Sequence, residues 1–457
     1  MTAPPPSGPA AGKTPARAAV RAPLGGTFLS GAGGRLLPAS LPLRFFGAAV
    51  VFHLLAWLVV LITAAQWPQW RGGLGPPLAA LHLVTLGTLA ASAIGASLQL
   101  LPVATRQPLQ QLRLIAALWW VFVPGVALLT FGMGTASPVL LAAGAVAVIA
   151  ALLVFGVLLG LNLRGARGMP GVVAHGWGAV AALLVLLGSA AALVALWSGH
   201  SVLDRDAARG LHLLAGVFGF MGLLALGLTH VLLPMFALGR VPPDREQLIQ
   251  AALAGAAILA GGAAALGLGR PTWLNGAATV LGGAALALHL HLVRGVLATA
   301  MRSDLGRSGR LMRVGWAGLG LTLLLALVRP ATQGDQPWGL LFGAAAVAGW
   351  LLTFLFGVLQ RILPFLVSMH AAQGRRRPPT PAALTLELPL VWHLRCHLLA
   401  LAALAGGLAS GSADLIRLAG LVGALGAAAF ALFFQVLMRR MRDATATPAG
   451  ERRLEKK

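Results

Sequence analysis

The residues of this chain best able to do chemistry are its eleven histidines, beside one cysteine and no tyrosine. An imidazole held in an apolar run offers a lone pair, and haem iron or copper is its usual taker. Position singles out two of them. His82 precedes Gly87–Gly95–Pro102 and His212 precedes Gly219–Gly227–Pro234, two copies of one pattern, Gly-x7-Gly-x6-Pro. The third copy, Gly349–Gly357–Pro364, has Phe342 and Ala344 at the matching positions. His82 and His212 are therefore the candidate cofactor ligands. His230, later on the second motif segment, joins them as a candidate metal ligand. For each, packing or interfacial anchoring is the competing reading.

The other histidines read more weakly. His53 falls mid-segment, where it could bond a backbone carbonyl of a neighbouring helix. His289 and His291 are two apart and so lie on different helix faces. His393 and His397, spaced i, i+4 with Cys396 adjacent, have a metal-binding spacing. Arg395 between them favours interfacial anchoring. His175 and His370 fall at segment ends and His200 in a loop. Gln360 and Arg361 precede Pro364, and the arginine is expected to snorkel. All eleven acidic residues fall in loops, tails or segment ends. A buried carboxylate is the usual relay or coupling-ion ligand of pumps and ion-coupled transporters, so its absence weighs against both.

What must position these side chains is a membrane bundle. The chain is 58% hydrophobic and 10% charged, too poor in charge for a soluble domain. Long continuous apolar runs specify helices rather than a barrel. Twelve such runs fall near 41–65, 78–104, 112–135, 138–163, 172–197, 210–238, 248–269, 273–300, 311–329, 338–368, 390–411 and 415–438. The net charge of +23 comes from basic residues flanking these runs, which implies anionic lipid headgroups and not nucleic acid. Basic residues cluster in alternate connections (Arg106 and Arg113, Arg164 and Arg167, Arg240 and Arg245, Arg302 to Arg313, Arg375 to Arg377) and in both tails. Both termini are thus expected on the cytoplasmic side. Residues 1–40 lack a continuous apolar core and read as a disordered basic tail, not a signal peptide. One cysteine precludes an intramolecular disulfide.

The pattern Gly-x7-Gly-x6-Pro recurs at intervals of about 130 residues, where chance predicts roughly half a match in the whole chain. It falls on segments 2, 6 and 10. The expected fold class is therefore an all-α integral membrane protein of twelve transmembrane helices in three parallel four-helix repeats, 41–170, 171–304 and 305–443, with a basic tail at 444–457. An even count per unit gives all three one orientation. The glycines are expected to let helices approach closely and the prolines to bend the helix ends.

Twelve helices in three such units, with histidines at the outer ends of the second and sixth, resemble the catalytic subunit I of haem–copper oxidases. By that resemblance His82 matches a low-spin haem ligand in placement and His212 a copper ligand. The stretch from His82 to Pro102 is also similar to the NnrS-type haem- and copper-containing membrane proteins. Departures are plain. Segment 10 lacks a His-x-His pair, segment 7 lacks histidine, and tyrosine and intramembrane acids are missing. The resemblance thus implies a degenerate relative without a working oxygen- or nitric-oxide-reducing centre. Its implied cofactor is haem or copper, and its implied partners are components of a respiratory oxidase or of denitrification, in a bacterial inner membrane. A cofactor-free assembly partner and a transporter of a neutral solute are the alternatives.

Overall fold

A computed structural model describes residues 37–328, 337–372 and 379–446. Most of both tails, Arg375 to Arg377, Asp335, Glu451 and Glu455 lie outside the described residues. Among the described residues twelve helices are long and apolar enough to cross a membrane. They are α1 (Ser40–Ile62), α2 (Pro76–Ala104), α3 (Leu112–Gly134), α4 (Pro138–Arg164), α5 (Pro170–Trp197), α6 (Arg205–Ala237), α7 (Asp244–Ala265), α8 (Pro271–Ala298), α9 (Gly306–Val328), α10 (Trp338–Ala371), α11 (Glu387–Ser410) and α12 (Ala413–Thr445). Each coincides with one apolar run of the sequence, within a few residues at most ends.

Local chemistry explains the boundaries. Proline opens α2, α4, α5 and α8, where its missing N–H would be unpaired in any case. Asp204 caps α6, accepting from the amides of Asp206 and Ala207 at 2.9 Å each. Those bonds, Ala207's foremost, hold its carboxyl below the usual range. The cap moves the start of α6 to Arg205, before the expected run, because a polar first turn can precede the apolar stretch. Gly411 closes α11 with φ +69°, a left-handed conformation that glycine adopts freely.

The motif glycines all face the helix preceding their own. A Cβ on Gly87 would meet the Phe52 ring on α1 at 2.6 Å, and one on Gly95 the Pro42 carbonyl at 3.1 Å. Gly219 lies against Ala182, and a Cβ on Gly227 would approach His175 Cβ on α5 at 2.6 Å. On α10, a Cβ at Gly357 would meet Met312 of α9 at 2.8 Å, whereas Gly349 has only ordinary contacts from 3.7 Å outward. Close approach is thus the role of five of the six, Gly349 excepted.

One feature lies outside the sequence expectation. Each motif helix carries a π-helical stretch around its first glycine: Leu83–Ala90, Leu214–Gly222 and Ala345–Leu352. Such a turn accommodates one extra residue and leaves carbonyls without their usual partners. Threonine takes two of them, Thr88 Oγ1 donating to Leu83 O at 3.2 Å and Thr353 Oγ1 to Ala348 O at 2.7 Å. The π stretches of α2 and α6 both pack on that of α10, so the three motif helices meet inside the bundle. Trp350, the largest fully buried side chain, sits there, 5.7 Å from Phe218. α1 packs along α12, joining the first and last helices.

Candidate functional site

The fold gathers eight of the eleven histidines into three groups. In the first, His82 on α2 and His212 on α6 come together, their ring centroids 6.2 Å apart and 30° from parallel. Both sit near the start of an even-numbered helix, just before its π stretch. His82 Nδ1 lies 3.0 Å from the Leu78 carbonyl. A carbonyl only accepts, so Nδ1 carries the proton and Nε2 the lone pair. His212 Nδ1 is buried with no hydrogen-bond partner. A linear ion with nitrogen bonds of about 2 Å spaces two imidazole centroids roughly 6 Å apart. The pair therefore fits one metal ion in spacing, and one ring is already held in the tautomer a ligand needs.

His230 does not join that pair. It lies in the last third of α6, in the second group, 5.6 Å from His175 on α5 and 5.5 Å from His289 on α8. All three rings are at most 1% exposed. Gly227 makes the room for His175 one turn before His230. His175 Nδ1 donates to the Gly171 carbonyl at 2.8 Å, so its Nε2 must accept. It meets the Gln250 side-chain amide of α7, which therefore presents its N–H there. The same end of that amide lies 3.5 Å from His230 Nε2. Both nitrogens of His289 lack partners, and Trp316 of α9 stands edge-on to it at 5.8 Å.

The third group joins α1, α10 and α11. His393 and His397 stack at 5.6 Å, and His53 lies 6.4 Å from His393. Phe356 touches both His53 and His393, at 4.5 and 4.6 Å. The Gln360 amide lies 3.5 Å from His393 Nδ1, and Thr353 Oγ1 lies 2.8 Å from His397 Nε2. Since the Thr353 proton goes to Ala348, its oxygen accepts from His397 Nε2–H, which leaves the lone pair on Nδ1. His53 Nδ1 and His393 Nε2 have no partner.

Several sequence readings need correction. His393 and His397 are 0% and 2% exposed, so they are not interfacial anchors. Arg395 between them is exposed on another face of α11. His175 and His370, near helix ends, are buried too. The interior holds more than histidine: Gln99, Gln247, Gln250 and Gln360 are all buried, and neither amide atom of Gln99 is bonded. His291 is exposed and His289 buried, as their spacing requires. His200 is exposed, as a loop residue should be.

The second and third groups share a signal that the sequence holds. His230 and Gln360 each stand four residues before the motif proline. Their partners Gln250 and His393 are each the seventh residue of the following helix. Across these two contacts histidine and glutamine stand in opposite order. Among the described residues, however, no three His, Cys, Asp or Glu side chains already converge as metal ligands. Compared with known protein families and with curated proteins, the chain matches none.

Proposed function

We propose that this is a haem- or copper-binding accessory protein of a bacterial inner membrane, acting in respiration or the nitric-oxide response. Its scaffold would be that of haem–copper oxidase subunit I, three parallel four-helix repeats with both termini cytoplasmic, stripped of the catalytic centre. The observation that carries the reading is the approach of His82 to His212 across two motif helices. Support for the repeat comes from the three π stretches at matching distances before Pro102, Pro234 and Pro364. The local likeness of the His82–Pro102 stretch to NnrS-type proteins points to the same cofactors.

In this reading His82 supplies Nε2, its ring held by the Leu78 carbonyl, and His212 supplies the opposing nitrogen. The bound group would contribute ligand or electron exchange at the metal. The protein contributes two histidine donors, one from each of two motif helices.

An absorption spectrum and a metal assay of the purified protein test this. Haem or copper is expected in the wild type and is lost in His82→Ala. No Soret band and no copper, even after reconstitution, would overturn the reading. An unaltered spectrum in the variant would return His82 to packing.

A further inference from the structure

We propose that Thr88 is a positioning residue for the pair of His82 and His212: its hydroxyl holds the π turn of α2 that aims His82 at its partner. The role belongs to that pair and so rests on the function proposed above. His82 is the last residue before the π stretch Leu83–Ala90. It ends a segment of seven residues, Pro76–His82, that winds as an ordinary α-helix. The Leu78 carbonyl that holds its ring lies in the same segment, so ring and carbonyl turn together. That bond fixes the tautomer and leaves the direction of the segment open.

Direction is set where the segment joins the rest of α2. Along and beyond the π stretch, α2 is fixed against α1, where Gly87 admits the Phe52 ring and Gly95 the Pro42 carbonyl. The start of the segment is tied to α3, Gly75 N–H donating to the Met133 carbonyl at 2.8 Å. Between these two anchors the width of one turn decides where His82 points. π turns are rare, and a backbone left to itself winds as α. Something must hold this one.

The Thr88 hydroxyl does so. Thr88 is buried, so its hydroxyl must bond within the protein. It donates to the carbonyl five residues back, that of Leu83, at 3.2 Å. Threonines in the α-helical parts of other spans behave differently. Thr130, Thr229, Thr279 and Thr322 each donate to the carbonyl four residues back, at 2.7–2.8 Å. A bond five back marks the wide turn. Thr353 makes the same bond on α10, to Ala348 at 2.7 Å, and again at a π stretch. The π stretch of α6, Leu214–Gly222, contains no hydroxyl residue. Of the two helices that bring the pair together, α2 is thus the one with a side-chain clamp on its wide turn.

The test reads position without any metal. Spin labels on His82→Cys and His212→Cys, in a full-length Cys396→Ser chain, report the spacing of the two positions by dipolar broadening. Thr88→Val keeps the shape of the side chain and removes the bond, and should change that spacing by roughly 5 Å, about one helix radius. Thr88→Ser should keep the wild-type spacing, and so should Thr130→Val, which removes an ordinary bond four back. In the chain with both histidines, Thr88→Val should weaken metal binding about 10-fold, and Thr88→Ser should not. An unmoved spacing in Thr88→Val, an equal change in Thr130→Val, or the same change in Thr88→Ser would overturn the proposal. Should Thr88→Val fail to fold, Thr88→Ala gives the same decision. A shifted spacing in a protein that binds neither haem nor copper removes the function proposed above and keeps the role of Thr88. Bound metal with an unmoved spacing does the reverse.

Discussion

The contact between α6 and α7 and the corresponding contact between α10 and α11 are polar, while the positions that match them on α2 and α3 are not. Four residues before the motif proline stand His230, Gln360 and Leu98, and at the seventh residue of the next helix stand Gln250, His393 and Leu118. Both leucines are buried. The backbone framework is shared, with glycines facing the preceding helix and a π stretch beside each first glycine. Chemistry has been distributed over that framework unevenly. Helix packing and imidazole placement can therefore vary separately, and His82 and His212 belong to a different end of the motif helices from either of the other two groups.

That separation can be tested, beginning with the ring between His53 and His393. Phe356 is buried and also packs on Phe430 at 4.8 Å. Phe356→Ala should lower stability by about 3–5 kcal/mol in chemical unfolding of the detergent-solubilised protein. The residue at the corresponding place on α6 is Leu226. If the two regions are variants of one framework, Phe356→Leu should cost less than about 1.5 kcal/mol. Equal damage from both substitutions would break the correspondence.

A smaller effect separates two glycines of the same motif. Gly227→Ala forces a Cβ to within 2.6 Å of His175 Cβ and should cost about 1–3 kcal/mol. Gly349→Ala meets nothing closer than 3.7 Å and should change stability by less than about 0.5 kcal/mol. Thermal unfolding of the two variants side by side checks this, and a costly Gly349→Ala would show that α9 and α10 are packed more tightly than α5 and α6.

The smallest effect belongs to the cap of α6, which sets the helix bearing both His212 and His230. Asp204 is held below its ordinary value, so its contribution is present above the unfolded carboxylate pKa of about 3.9 and is lost as pH falls through the folded value. Asp204→Ala should speed hydrogen exchange at the Asp206 and Ala207 amides at neutral pH. The difference from wild type should shrink in acid. A difference that persists at low pH would remove the carboxylate as its cause.

Much of the fold was legible because membrane helices announce themselves by length and apolarity, and because proline marks several of their first residues. The candidate site was legible only in part. Position relative to the motif singled out His82 and His212, and the fold brings them together. His230 shares a helix with His212, but the two lie several turns apart along α6. Arg395 lies between His393 and His397 in sequence and suggests an interfacial site, yet successive residues on a helix point about 100° apart. An arginine can face outward there while its neighbours face the core. Which glutamine meets which histidine is a tertiary matter, visible only after positions relative to the motif prolines are compared. The π stretches coincide with the first motif glycine, a coincidence visible only once the backbone is known.

Those stretches act as phase shifters. One extra residue in a turn rotates everything beyond it by about 100° about the helix axis. On α10, what lies beyond is Thr353, Phe356 and Gln360, the face turned toward His393 and His397. On α6 it is Gly227 and His230. Loss or gain of a single codon within such a turn would re-aim the C-terminal half of a helix as a block while its N-terminal half kept its neighbours. An ancestral bundle could have had whole faces redirected that way without any side chain being replaced.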